Sequence, residues 1–158
     1  MKIEFINPFI NAAIEVLQAE GKVKTLQRGS LSMESSARTS KEVTILIGIT
    51  GSVSGLVMYG MTEATALKIA SEMAGEKIEK FDQIAQSAIA EFANMITGNA
   101  SIGLEASGFP CTISPPTLIT GKNTQISTIN VKRMVVPFMT GIGVIEIDVA
   151  LKEKEANK

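Results

Sequence analysis

The chain has 158 residues, a length that suits one domain with its own core, and its 15 basic and 16 acidic side chains give a net charge of -1. It contains no histidine and one cysteine, Cys111. Histidine-dependent nucleophilic catalysis, soft-metal sites and an internal disulfide are therefore excluded. Because the sequence also has no basic stripe and no apolar run long enough to span a bilayer, we expect a cytoplasmic protein that binds neither nucleic acid nor membrane.

The first forty residues predict one helix followed by weakly structured chain. Asn7 and Pro8 are typical of a helix start, because the proline has no N–H to leave unsatisfied at the first helical position. The apolar stripe that follows ends at Gly21. Residues 22–34 have a weakly extended pattern, and the small polar residues 35–40 predict a mobile loop.

The next segment predicts a β-hairpin and a second helix. Residues 43–49 are rich in β-branched side chains, a Thr-Gly-Ser turn follows, and residues 53–59 are expected to form the return strand of a hairpin. Thr62 is the expected cap of the second helix, which ends at Gly75. Asp82 then caps a long central helix.

The central helix, predicted over residues 82–104, carries two stripes. Its apolar residues recur every three or four positions, which predicts a face packed on the core: Ile84, Ala85, Ala88, Ile89, Phe92, Met95, Ile96 and Ile102. The second stripe is polar or small and is expected to face outward: Ser87, Glu91, Asn94, Gly98 and Ser101. A carboxylate and a carboxamide therefore project one turn apart from a low surface that another protein can approach closely.

The last third predicts extended chain. Three prolines exclude a helix from residues 109–116, and residues 125–132, 133–139 and 142–151 have strand patterns, with Pro137 typical of a bulge or an edge. The order of elements predicts an α+β fold, a two-layer sandwich of a largely antiparallel sheet covered by helices. We expect a single domain over residues 1–152 and a charged, frayed tail over 153–158.

The run Ser87-x-x-x-Glu91-x-x-Asn94, continued by Gly98 and Asn99, resembles the signature of the CheC/CheX/FliY chemotaxis phosphatases, and within that family it is most similar to CheX. A proline pair, Pro115 and Pro116, follows the helix. The resemblance implies a CheC-like sandwich with one long motif helix. It also implies a phosphatase that acts on the aspartyl phosphate of the response regulator CheY, and a homodimer.

The resemblance also assigns roles to the outward stripe. Asn94 is expected to orient the attacking water, and Glu91 to pair with a lysine of the regulator. Ser87 and Gly98 are expected to contact the docked partner. Mg²⁺ is expected in the regulator's active site, with no cofactor bound by this chain, and one active site per chain is expected, on the central helix.

Three other interpretations stay open. The same face suits a catalytically silent adaptor that binds a response regulator or a flagellar switch component. It also suits a homodimer module in which the central helix is buried against its twin. Dimerisation itself is expected because the Val- and Ile-rich strands have little charge to guard an edge. Glu91 and Asn94 are also compatible with an ordinary solvated helix face.

Overall fold

The computed structural model describes residues 1–128 and 130–155, and within these ranges the chain forms three helices and ten strands. The helices are α1 (Ile3–Ala19), α2 (Glu63–Ala74) and α3 (Gln83–Ala106). The strands are β1 (Leu26–Arg28), β2 (Ser32–Glu34), β3 (Ala37–Thr39), β4 (Val43–Gly51), β5 (Val53–Met61), β6 (Cys111–Ile113), β7 (Thr117–Thr120), β8 (Gln125–Ser127), β9 (Arg133–Thr140) and β10 (Gly143–Glu153).

Eight of these strands form one antiparallel sheet in the order β1-β9-β10-β5-β4-β6, with β2 also paired to β9 and β7 also paired to β4. The remaining two, β3 and β8, pair with each other. Alternate side chains of the central strands point into one core, among them Ile45, Ile47, Tyr59, Ile147 and Val149. The helices cover that face, and α3 packs against both α1 and α2. The predicted α+β fold with an antiparallel sheet and a helical layer is confirmed.

The predicted hairpin is present as β4 and β5, whose register runs from Val43 opposite Met61 to Ile49 opposite Gly55. Pro137 lies in β9, where the neighbouring chain leaves the sheet between β1 and β2. On this side of β9 strand pairing is interrupted at Pro137, and the Gly29 N–H donates to the Pro137 carbonyl across the gap. The prediction of a bulge or an edge at this proline therefore matches a local gap in strand pairing.

The predicted start of α1 is wrong. The helix begins at Ile3, so Asn7 is not its cap and Pro8 lies inside it. Phe5 and Ile6 are buried in the core, and this burial holds an extra turn that no capping side chain marks in the sequence. Pro8 is tolerated here because it lies near the N-terminal end of α1, where its missing N–H removes only one backbone hydrogen bond.

The prediction of a mobile loop over residues 35–40 is also wrong, because Ala37–Thr39 forms β3. The predicted strand over residues 125–132 is ordered as β8 only over Gln125–Ser127, and residue 129 lies outside the described residues. Short polar strands of this kind lack the alternation that marks a half-buried strand in a sequence.

Arg133 explains why this polar segment is held on the sheet. Its guanidinium forms a buried ion pair with Asp148 of β10 and donates hydrogen bonds to the backbone carbonyls of Ser35 and Ala37, at 2.9 and 3.1 Å. A buried charge pair with further hydrogen bonds is strongly directional. One side chain thus ties the start of β3 to the centre of the sheet.

The proline-rich segment is extended, as predicted, and its strands β6 and β7 pair with β4. Phe109 lies against α1, with its ring edge-on to that of Phe5 at 5.0 Å. At the other end of the chain β10 runs to Glu153, and the Lys154 N–H bonds to the Ser52 carbonyl. Residues 156–158 of the predicted tail lie outside the described residues, and the division into domain and tail stays a prediction.

Candidate active site

The central helix α3 is fixed at its start and along its buried face. The Asp82 carboxylate accepts the Ala85 N–H at 3.0 Å, which confirms the predicted cap. The residues that α3 buries are Ala85, Ile89, Phe92, Ala93, Ile96, Thr97, Ala100 and Leu104. This stripe sets the rotation of the helix about its axis, and therefore which side chains face outward.

Two residues of the predicted core face are in fact on the surface. Ile84 is 60% exposed and Ile102 is 66% exposed, while Ala88 and Met95 are only half-buried. The apolar spacing fits two adjacent stripes equally well, and the helix is turned toward Ala93, Thr97 and Ala100 instead. Hydrophobicity alone misplaced the stripe because the buried face includes small and polar residues that do not stand out as apolar in the sequence.

The polar stripe faces outward, as predicted. Ser87 and Glu91 are exposed, whereas Asn94, Gly98 and Ser101 are half-buried. The ordinary helical rise puts Glu91 and Asn94 about 4.5 Å apart along the axis, with Ser87 and Gly98 each about 6 Å further out. Ser87, Glu91, Asn94 and Gly98 thus form a continuous strip on the outer side of α3. We call this strip the motif face.

The polar atoms of Glu91 and Asn94 are unused by the fold. Neither side chain forms a hydrogen bond or an ion pair with another residue in the described part of the chain. By contrast, the Ser101 hydroxyl is satisfied locally, donating to the Gly98 carbonyl at 2.7 Å. A carboxylate and a carboxamide on a rigid helix are therefore available to a group from outside.

The electrostatics of α3 favour a basic partner group. Its 24 residues include two charged side chains, Glu91 and Glu105, both acidic and both exposed.

Near the end of the helix, burial raises the pKa of the Cys111 thiol, and the charge of Glu105 raises it further. Cys111 is therefore a weakly reactive thiol, in keeping with a small packing residue.

Gly98 has no packing reason to be glycine. A Cβ at this position would meet no heavy atom within 4 Å, whereas a Cβ at Gly103 would lie 3.0 Å from Cβ of Pro8 on α1. Glycine inside a helix costs about 0.5–1 kcal/mol relative to alanine. The fold gains nothing at residue 98 in return, so the low surface beside Asn94 serves something other than internal packing.

A buried hydrogen bond fixes α3 to the sheet next to the motif face. The Tyr59 hydroxyl on β5 lies 2.7 Å from Thr97 Oγ1, which itself donates to the Ala93 carbonyl at 2.7 Å. The threonine proton is thus already used, so Tyr59 donates. Burial raises the pKa of Tyr59 and keeps it protonated as a donor. Nothing in the sequence marks this bond, because its two partners are 38 residues apart.

The Glu-x-x-Asn spacing occurs a second time, in α1. Glu4 lies in the first turn of α1 and Asn7 follows at the start of the second, and both are exposed. They line a groove of about 330 Å³ between α1 and α3, whose other walls include Asn11, Asn99 and Ser107. This pair lacks the rest of the motif, since Pro8 follows it directly and Asn11 stands at the position that corresponds to Gly98.

The proline pair singled out in the sequence lies outside α3. Pro115 and Pro116 connect β6 to β7 beside β4, where the Ser114 hydroxyl accepts the Gly48 N–H at 2.8 Å. Among residues 1–128 and 130–155, no cluster of three or more cysteine and carboxylate side chains has the arrangement of a metal site. None of the helices in those ranges is long and apolar enough to cross a membrane.

Comparison with known proteins gives a consistent match. Residues 43–139 match the model of the family described as chemotaxis phosphatase CheX. A CheY-P phosphatase CheX from Thermotoga maritima is 30% identical over 132 residues, covering 83% of this chain and 84% of that protein.

Two solved structures show the same fold. A CheC-like superfamily protein from Shewanella sp. PV-4 superposes with a TM-score of 0.85 and 27% identity, over 96% of this chain and 99% of that one. The CheX–CheY–BeF₃–Mg²⁺ complex from Borrelia burgdorferi gives a TM-score of 0.81 and 33% identity, over 96% of this chain and 100% of that one.

Proposed function

This chain belongs to the chemotaxis phosphatase CheX family, and on that premise we propose that it hydrolyses the aspartyl phosphate of a CheY-type response regulator. The Thermotoga relative is named for this activity, and the Borrelia relative is in a complex with CheY. The observation that carries the proposal is the pair Glu91 and Asn94, presented one turn apart with no partner in the described part of the chain.

In this mechanism Asn94 enters the regulator's active site beside the phosphoryl group. Its carboxamide orients a water molecule in line with the bond between phosphorus and the aspartyl oxygen. The water attacks phosphorus, that bond breaks, and the products are inorganic phosphate and the free aspartate carboxylate. An acyl phosphate is already activated, so positioning of the water is the main contribution required from the phosphatase.

Glu91 fixes the register of this insertion. It lies one turn before Asn94, and the centre of the motif face offers no other charge. A lysine of the regulator next to its phosphoryl group would form a charge-assisted pair with Glu91 and hold α3 at one depth. This role needs no proton transfer, so the absence of histidine from the chain is no obstacle.

The metal belongs to the regulator in this proposal. Mg²⁺ held by the regulator's own carboxylates neutralises charge on the phosphoryl oxygens, and this chain contributes no ligand to it. The complex from Borrelia burgdorferi contains BeF₃ and Mg²⁺ together with CheX and CheY, so a metal ion accompanies such an assembly.

Ser87 and Gly98 let the regulator come close. Both are small and lie on either side of Glu91 and Asn94 along the motif face. The open space above Gly98 supports direct approach of the partner to the helix backbone at that point.

The test is release of inorganic phosphate from a phosphorylated CheY-type regulator. Asn94→Ala should slow turnover by at least about 100-fold, the loss seen when one positioned hydrogen-bonding group is removed from an active site. Binding to the BeF₃⁻-activated regulator should persist, because Glu91 is intact. If the parent protein binds the activated regulator but releases no phosphate from any candidate, the adaptor interpretation replaces this one.

We further propose that the protein is a cytoplasmic homodimer, where a CheY-type regulator would meet it. The edge strands β6 and β7 carry no charged side chain, which favours pairing with a second copy. Light scattering at working concentration should give twice the chain mass of 16.8 kDa. A particle of 16.8 kDa would refute the dimer and leave the phosphatase proposal untouched.

A further inference from the structure

Two exposed isoleucines stand at the ends of the motif face. Ile84 and Ile102 are the most exposed large hydrophobic side chains in the described part of the chain, at 60% and 66%. They are 18 residues apart, which is five whole helical turns, so they project in the same direction about 27 Å apart.

Glu91 and Met95 lie between them. At 100° per residue Glu91 and Met95 each project within about 20° of the line that joins the two isoleucines. Asn94 lies about 12–15 Å along the axis from either one. At 100° per residue Asn94 is turned about 80° from that line. The helix therefore presents an apolar side chain at each end and Glu91 in the middle, with Asn94 to one side.

We propose, building on the proposed function, that Ile84 and Ile102 are apolar anchors that grip the docked response regulator on either side of its phosphorylation pocket. An acyl-phosphate pocket is polar and hydrated, so inserting Asn94 into it exchanges one set of polar contacts for another. Net affinity must come largely from apolar surface removed from water. Ile84 and Ile102 are the large aliphatic side chains of α3 available for this.

The occupant is a regulator domain because the dimensions and the continuity of the surface fit one. A span of about 27 Å is close to the diameter of a small domain, so one domain centred on Asn94 reaches both isoleucines at once. The surface is also continuous with Glu91 and Gly98, which the proposed function already places against the regulator.

The experiment measures binding of the intact protein to a BeF₃⁻-activated CheY-type regulator at two salt concentrations. Isoleucine and serine have similar helix propensities, so Ile84→Ser and Ile102→Ser should leave α3 intact. Each change should weaken binding about tenfold, and the double variant about 100-fold. The salt dependence should match the parent's, since no charge is altered.

Ile3→Ser is the matched control. Ile3 is 49% exposed on α1 and does not belong to the motif face, so this variant should bind like the parent. In the phosphate-release assay the anchor variants should raise KM and leave kcat unchanged, which separates them from Asn94→Ala.

Unchanged binding in the double variant would overturn the anchors while leaving the phosphatase proposal standing. Loss of the dimer with unchanged regulator binding would assign the face to a second copy of the chain and would equally overturn them. A parent protein that binds no activated regulator would overturn both proposals.

Discussion

Glu91 with Asn94 and Glu4 with Asn7 share one spacing and one residue chemistry, yet their surroundings differ. The first pair lies near the middle of α3, whose opposite face packs on the core, and Thr97, a turn further on, is hydrogen-bonded to the sheet. The second pair lies within the first two turns of α1, at a helix start that no side chain caps.

The two pairs also differ in what can reach them. Glu4 and Asn7 look into a groove walled by α3, including Asn99 and Ser107. Glu91 and Asn94 project from a face flanked by small residues, with open space above Gly98. A Glu-x-x-Asn pair can enter another protein's active site only where its helix is held rigidly and the partner can reach the helix surface.

The strongest test of the difference between the two pairs is to replace each asparagine with alanine in turn. Asn94→Ala should lower phosphate release by at least about 100-fold, whereas Asn7→Ala should leave it within experimental error of the parent. Circular dichroism and melting curves of both variants would check that α1 and α3 are intact. A large loss in Asn7→Ala would show that α1 carries a second working site.

Removing the two charges should have a smaller effect. Glu91→Gln should raise KM for the phosphorylated regulator about tenfold or more, because a hydrogen bond to a charged group contributes about 1.5–3 kcal/mol. The KM of this variant should also depend less on salt concentration than the KM of the parent. Glu4→Gln is the control, and equal KM values for the two variants would contradict the role given to Glu91.

The smallest effect separates stability from function at two glycines of α3. Gly98→Ala should raise the free energy of unfolding by about 0.5–1 kcal/mol, since helix propensity improves and no neighbour is displaced. Regulator binding should weaken at the same time. Gly103→Ala should bring no such gain, because its Cβ meets Pro8.

Urea unfolding and regulator titration of these two variants provide the measurement. Gly98→Ala that is more stable and binds at least as well as the parent would remove the functional reason for this glycine.

The sequence predicted α3 and its outward stripe well because local signals agreed there. Asp82 caps the helix as expected, and the polar residues at steps of three and four share one face. The hairpin β4–β5 followed from its β-branched runs in the same way. Such features depend on neighbours close in sequence, which a single sequence contains.

What the sequence did not reveal depends on contacts between distant residues. The start of α1 is set by burial of Phe5 and Ile6, and β3 is held by Arg133, which comes almost a hundred residues later. The sequence places Ile84 in the core because the neighbouring residues do not distinguish an apolar side chain that packs inward from one that is exposed. The roles of Glu91 and Asn94 stay predictions until the phosphate-release assay is done.

The hydrogen bond between Tyr59 and Thr97 also gives the protein a built-in optical reporter. The chain has one tyrosine and no tryptophan, so its ultraviolet emission comes almost entirely from a single ring wedged under the motif helix. A shift in how that helix packs on the sheet would change this emission without any attached dye.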